Sequence, residues 1–239
     1  MNKQQQQEMM RRCAGLLLLT TLGELQACNA ISGVGDINFA SCAIHFDATK
    51  GTAVVGGTGG GPFDDLCPEG QVLIGFQAGA IGKGAALSGL GAICGVVSLS
   101  SLDPHAITIS PGKSLPSRGT SASDITSETC EAGQVVVGFG GRALTDMMSG
   151  GPFVSTLSLH CAPLVIDGLP SAPTISSGTI AVLPPLGSET ANLSDPVTVI
   201  DCPEGQIGVA SRGRATSVVD AFGLGCAKPV IDCAVTEEE

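Results

Sequence analysis

A cysteine-bracketed pattern occurs three times along this chain and constrains its fold more than any other feature. The copies begin Cys67-Pro-Glu-Gly-Gln-Val-Leu-Ile-Gly-Phe, Cys130-Glu-Ala-Gly-Gln-Val-Val-Val-Gly-Phe and Cys202-Pro-Glu-Gly-Gln-Ile-Gly-Val-Ala. They close at Cys94, Cys161 and Cys226. The opening cysteines lie 63 and 72 residues apart and the closing ones 67 and 65. A repeat of this length with its own cysteine pair predicts three similar units sharing one core.

Within each copy the apolar run alternates. Val72, Ile74 and Phe76 fall on one face, and Leu73, Gly75 and Gln77 on the other. The second copy sets Val135, Val137 and Phe139 against Val136, Gly138 and Gly140. The third sets Ile207 and Val209 against Gly208 and Ala210, with Ser211 in the place of the phenylalanine. β-Branched residues at period two predict strands. The small residue at 75, 138 and 210 predicts close approach of another backbone. A second strand is expected before each closing cysteine, at 87–93, 154–160 and 219–225. A third is expected after it, at 96–99, 164–166 and 230–231. A short opening strand is expected at 52–56, 106–110 and 179–183. After residue 28 no segment carries a capped 3.6-residue period. The expectation is an all-β protein of three sheets. Its repeats span 51–102, 103–168 and 169–233, with an acidic tail at 234–239.

The first residues have the pattern of an export leader. Arg11 and Arg12 form a basic region, and 14–22 is an apolar core too short to span a bilayer. Met9 or Met10 would start a more compact leader than Met1. Leu25-Gln26-Ala27-Cys28 resembles the lipobox of bacterial lipoproteins. That resemblance implies removal of 1–27, acylation of Cys28 and a linker over 28–50. It places the protein in the bacterial cell envelope, lipid-anchored to the outer membrane. Cleavage elsewhere would give a freely secreted protein instead.

Of ten cysteines, Cys13 lies in the leader and Cys28 would carry lipid. Eight remain, an even number in an exported chain, which implies disulfides. The repeat selects Cys67–Cys94, Cys130–Cys161 and Cys202–Cys226, and leaves Cys42 to pair with Cys233. Metal binding would need clustered ligands. There is no CxxC, and His45, His105 and His160 are scattered, so no metal or cofactor is expected. Loss of 1–27 leaves eight basic and twenty acidic residues, a net charge of −12. Such a charge argues against nucleic acid as a partner.

The cysteine-centred repeats resemble the vitelline membrane outer layer protein family. The phrases Gly59-Gly60-Gly61-Pro62-Phe63-Asp64 and Val219-Asp220-Ala221-Phe222 resemble jacalin-type lectins. Both resemblances cover residues from about 51 to 233 and imply a β-prism, three Greek-key sheets about a pseudo-threefold axis. Two features depart from these families. The first copy reads Gly82-Lys83-Gly84-Ala85-Ala86 where the vitelline proteins carry an acidic loop, and the chain has no Trp and no Tyr. The lectin resemblance implies glycan binding through an Asp-containing loop near the chain's end, which the sequence does not locate.

Chemistry-bearing motifs are sparse. There is no Gly-x-Ser-x-Gly elbow. Pro111-Gly112-Lys113-Ser114 ends like a phosphate loop but has Ile107 where the first glycine belongs, so it reads as a turn. Asp64 and Asp65 could form a glycosidase pair; a solvated turn is the simpler reading. Asp220 lies in a loop or at a strand start between paired cysteines, where turn chemistry accounts for it. Arg142 and Arg214 occupy matched repeat positions with Arg212 nearby. They could receive carboxylate or phosphate groups, or hold the protein's own carboxylates. The leading expectation is a non-enzymatic structural or glycan-binding module whose partner is envelope polysaccharide. The alternatives are an enzyme acting on envelope glycans and an acidic protein that holds basic partners.

Overall fold

The computed structural model describes residues 41–47, 49–80, 86–99, 107–120, 124–146, 151–167, 174–187 and 196–234. The leader, Cys28 and the tail beyond Ala234 lie outside these residues. The chain enters on β1 (Ser41–Phe46), then β2 (Lys50–Gly51), β3 (Val55–Gly56) and β4 (Gly61–Leu66). A long hairpin, β5 (Gln71–Ala80) and β6 (Leu87–Leu99), leads to β7 (Ile107–Ser114), β8 (Arg118–Gly119) and β9 (Ile125–Thr129). The second hairpin, β10 (Gln134–Asp146) and β11 (Gly151–Asp167), is followed by β12 (Thr174–Ser177), β13 (Ala181–Val182), β14 (Leu186–Gly187) and β15 (Thr198–Asp201). The third hairpin is β16 (Ile207–Ala215) and β17 (Val219–Ala227), and the described chain ends on β18 (Pro229–Ala234).

These strands build three antiparallel sheets. The first has the order β7-β6-β5-β9 with β8 on β6, and the second β12-β11-β10-β15 with β13 and β14 on β11. In each, the strand after the hairpin pairs with its second member and a later strand returns beside its first, which is a Greek key. The third sheet has the order β2-β17-β16-β4 with β3 on β17. Its hairpin comes from the last repeat and its flanking strands from the start of the chain. The fold is a β-prism of three related sheets closed by the two ends of the chain.

The repeat sequence explains the local geometry. In Pro-Glu-Gly-Gln the Gln71 N–H donates to the Pro68 carbonyl at 3.0 Å, and Gly70 between them has φ +72°. Gln134 and Gln206 close the same turn on Glu131 and Pro203, around Gly133 and Gly205 at φ +80° and +71°. A left-handed residue at the third turn position favours glycine. A bulge follows in each hairpin, between Leu73 and Gly75, Val136 and Gly138, and Gly208 and Ala210. The expected close approach is present: a Cβ on Gly75 would strike Glu128 and Thr129, and one on Gly138 would strike Asp201.

Two sequence expectations need correction. β6 and β11 run unbroken through Cys94 and Cys161, so the separate strands expected on either side are single long ones. Only the third copy breaks, at Lys228 between β17 and β18. Residues 111–114 are not a turn but the end of β7, where Gln71 Oε1 accepts the Lys113 N–H at 3.1 Å.

The core lies between the sheets. Phe76 and Phe139 meet Phe222 edge to face, with centroids 5.3 and 4.8 Å apart, and all three are fully buried. Phe222 comes from β17, so the third repeat supplies its ring from the other strand of its hairpin and leaves Ser211 where its sisters carry Phe. A second cluster gathers Val72, Val135 and Ile207, with Ile44 and Phe46 of β1 and Ile231 of β18 packed on it. Cys42 and Cys233 sit directly opposite each other in the β1–β18 register.

Among the described residues, three disulfides link the sheets in a ring. Cys67 extends β4 in the third sheet, bonding Val209 O at 2.9 Å, and is joined to Cys94 of the first. Cys130 extends β9 in the first sheet and is joined to Cys161 of the second. Cys202 extends β15 in the second sheet and is joined to Cys226 of the third. Each bridge pins one corner of the prism.

Candidate functional site

At one end of the third sheet two loops from opposite ends of the chain meet. One is the glycine-rich turn 57–60 between β3 and β4. The other is the tip 216–218 of the β16–β17 hairpin. They come together because β4 pairs with β16 and β3 with β17, placing Gly61 opposite Ala215 and Gly56 opposite Ala221.

Arg214 fixes the glycine turn. Its Nε donates to Gly59 O at 2.7 Å and its Nη2 to Gly60 O at 2.6 Å. A guanidinium fork holding two successive carbonyls sets the orientation of both peptide planes. The Asp220 carboxylate lies on the other side of the turn. A Cβ on Gly59 would meet Asp220 Oδ1 at 2.5 Å, and one on Gly60 would meet Oδ2 at 2.5 Å. Gly60 also has φ +65°, and its Cβ would strike the Ala215 backbone at 2.7 Å. Thr216 Oγ1 lies 3.3 Å from Asp220 Oδ2. Carboxylate, hydroxyl and uncovered glycine backbone therefore converge on one small, partly exposed patch.

The internal symmetry shows that this patch is special to one sheet. Gly56, Gly119 and Gly187 occupy matched positions with φ of +113°, +97° and +102°. Each packs against one backbone carbonyl, of Asp220, Ser88 and Ser155 respectively. Asp220 thus stands where the other two repeats bury a serine, with Ser88 1% and Ser155 0% exposed. Ser155 spends its hydroxyl on the Arg142 carbonyl at 3.2 Å.

The other residues singled out in the sequence are placed differently. Asp64 and Asp65 lie in strand β4, not in a turn, and neighbouring strand residues point to opposite faces. Asp64 accepts from Arg212 Nη2 at 2.5 Å. Asp65 accepts from Arg118 Nε at 2.7 Å and from its Nη2, and Arg118 also lies over the Phe63 ring at 5.9 Å. The Asp65 hydrogen bond raises the Arg118 pKa above its ordinary value, against the opposing effect of burial. The structure thus separates Asp64 from Asp65, and of the predicted group it brings Arg214 and Asp220 together at the glycine turn. Arg212 and Arg214 hold protein acceptors, and Arg142 is partnered as well. Elsewhere His160, 7% exposed, holds Asp201 at 2.6 Å across Gly138 of the second sheet. Arg118 was not singled out in the sequence. Its signal is its place before Gly119, where the matched residues before Gly56 and Gly187 are Val55 and Leu186.

No protein-family model matches the sequence, and no curated protein matches it. Several solved structures are similar in chain path. A mannose-specific jacalin-related lectin from Morus nigra has a TM-score of 0.48 at 16% identity over 76% of this chain and 96% of that one. Frutapin, a lectin from Artocarpus incisa, has a TM-score of 0.49 at 14% identity over 76% and 98%. Calystegia sepium agglutinin has a TM-score of 0.48 at 13% identity over 75% and 97%. Likeness at this level assigns neither family nor ligand.

Proposed function

We propose that the protein is a non-enzymatic carbohydrate-binding module that holds glycan hydroxyls at the exposed rim where Asp220 packs against the glycine turn. One observation carries the reading: of three equivalent positions, only the third sheet carries a carboxylate, and it faces a turn that arginine has locked and side chains have left open. A carboxylate accepts from two vicinal hydroxyls, and uncovered backbone amides donate back. Neither partner needs an aromatic ring, which suits a chain without Trp or Tyr. Each such bond contributes about 0.5–1.5 kcal/mol net, so a few of them give affinity near ~1 mM. Retention therefore depends on polymeric ligand and display of many copies. The test is affinity electrophoresis through immobilised mannan, galactan, β-glucan and peptidoglycan. Retardation by at least one polymer, without measurable monosaccharide binding, is expected. Migration unchanged in all of them would refute the reading.

We infer further that the module is exported and anchored in the bacterial envelope through Cys28. The position of the entry strand supports this. β1 pairs with β18, which continues from the Ala227 end of β17, whereas the site lies at the Val219 end. At ~3.3 Å per residue, these ends are about 26 Å apart, so the site lies away from the end of the third sheet beside which β1 enters. Acyl labelling of the wild type and its loss in Cys28→Ala is expected. Absence of label from the wild type would refute the anchor.

A further inference from the structure

The three corners of the prism are not sealed alike. Leu186 and Val55, the residues before Gly187 and Gly56, are core residues with 1% and 5% exposure. Arg118, before Gly119, takes the matched place at the corner between first and third sheets. The facing residue follows the same rule. Two positions before the opening cysteines stand Asp65, Glu128 and Ile200, and Ile200 packs against the main core. One corner therefore carries an ion pair where another carries Val and Ile. The Arg118 side chain is 41% exposed and Asp65 11%, and a pair open to water on one side contributes only about 0–1 kcal/mol, so stability is a weak reason for the pair.

Its location is a stronger one. Two residues after Arg118, the Thr120 N–H donates to Ser217 O at 3.2 Å. Ser217 is the tip of the hairpin that carries Thr216 and Asp220. Asp65 lies on β4, the strand that leaves the glycine turn. The Arg118–Asp65 fork thus ties one loop of the site to the neighbouring sheet, and Thr120 ties the other.

We propose that Arg118 is a positioning residue for the carbohydrate site. Its two-pronged hold on Asp65 fixes β8, and through Thr120 it fixes the hairpin tip that presents Asp220. This rests on the binding reading above but goes beyond it, because Arg118 touches no proposed ligand group. A bidentate fork sets direction as well as distance, which an apolar contact does not.

The test copies the second–third corner into this one, as the double variant Asp65→Ile with Arg118→Val. It is compared with wild type and Asp220→Ser by urea unfolding, by hydrogen exchange at the Thr120 amide and by retention on the polymer that retards wild type. The variant should keep or raise the unfolding midpoint, exchange Thr120 faster, and bind at least about fivefold more weakly, the change that ~1 kcal/mol of lost preorganisation produces. Unchanged Thr120 exchange overturns the proposal, as does weaker binding in step with a falling midpoint. If wild type is retained by no polymer, the binding reading fails, and Thr120 exchange alone still decides whether Arg118 positions the tip.

Discussion

Removing any one of the three bridges should cost nearly the same, and the costs should add. The bridges close stretches of 27, 31 and 24 residues. In the chain-entropy relation these lengths give about 3.6, 3.7 and 3.4 kcal/mol. The three stretches do not overlap one another, and the expected Cys42–Cys233 bridge encloses all three alike, so it is a shared constraint that leaves the three costs comparable and close to additive. Opening one corner still leaves the sheets joined through the other two. A single Cys-to-Ala pair should therefore leave a folded protein within the usual total of about 5–15 kcal/mol. Two pairs should lower stability by ~7 kcal/mol and bring the fold to its limit. Cys94, Cys161 and Cys226 are fully buried, so each variant also loses some packing, which sets these figures as lower bounds. Urea unfolding of the three double-alanine proteins, under non-reducing conditions, reads these costs directly. A loss below ~1 kcal/mol for any one bridge would refute the reasoning, as would losses that differ by more than about a factor of two.

Other perturbations probe separate parts of the account. Phe222→Leu copies Leu90 and Leu157 of the sister repeats but removes two edge-to-face pairs, and should cost about 1–3 kcal/mol by urea unfolding. Gly60→Ala forces a side chain into left-handed backbone against Asp220 and Ala215; it should lower the thermal midpoint through ~1–2 kcal/mol of strain and abolish polymer retention. Non-reducing peptide mapping should recover Cys42 joined to Cys233, following their register in the β1–β18 ribbon. Either cysteine mapped to another partner would contradict it.

The parts of the fold that were legible in sequence are those with local causes. The glycine turn, the alternating run and the cysteine pair each act within one repeat, so three copies announced three hairpins and three bridges. The pairing of β4 with β16 had no such signal. Arg212 and Asp64 are separated by 148 residues, and nothing near either one names the other. Asp64 and Asp65 read as a turn because acidic residues after Gly and Pro usually are solvated. They tolerate a strand because an arginine answers each. In sequence Cys94-Gly95 and Cys161-Ala162-Pro163 look like breaks, yet β6 and β11 run through them unbroken. Gly59, Gly60 and Asp220 were each visible as residues of interest. Their meeting was not, because it depends on the chain's two ends closing one sheet. Arg118 could have been found by aligning the three glycines at 56, 119 and 187 and asking why one is preceded by a charge.

The central claim is that the glycine turn and Asp220 form a carbohydrate site. Amide NMR titration with an oligosaccharide cut from the retarding polymer tests it most directly. The account predicts shifts concentrated at Gly59, Gly60 and residues 216–220, and their disappearance in Asp220→Ser while the rest of the spectrum stays folded. Shifts confined to another sheet, or undiminished binding by Asp220→Ser, would contradict it.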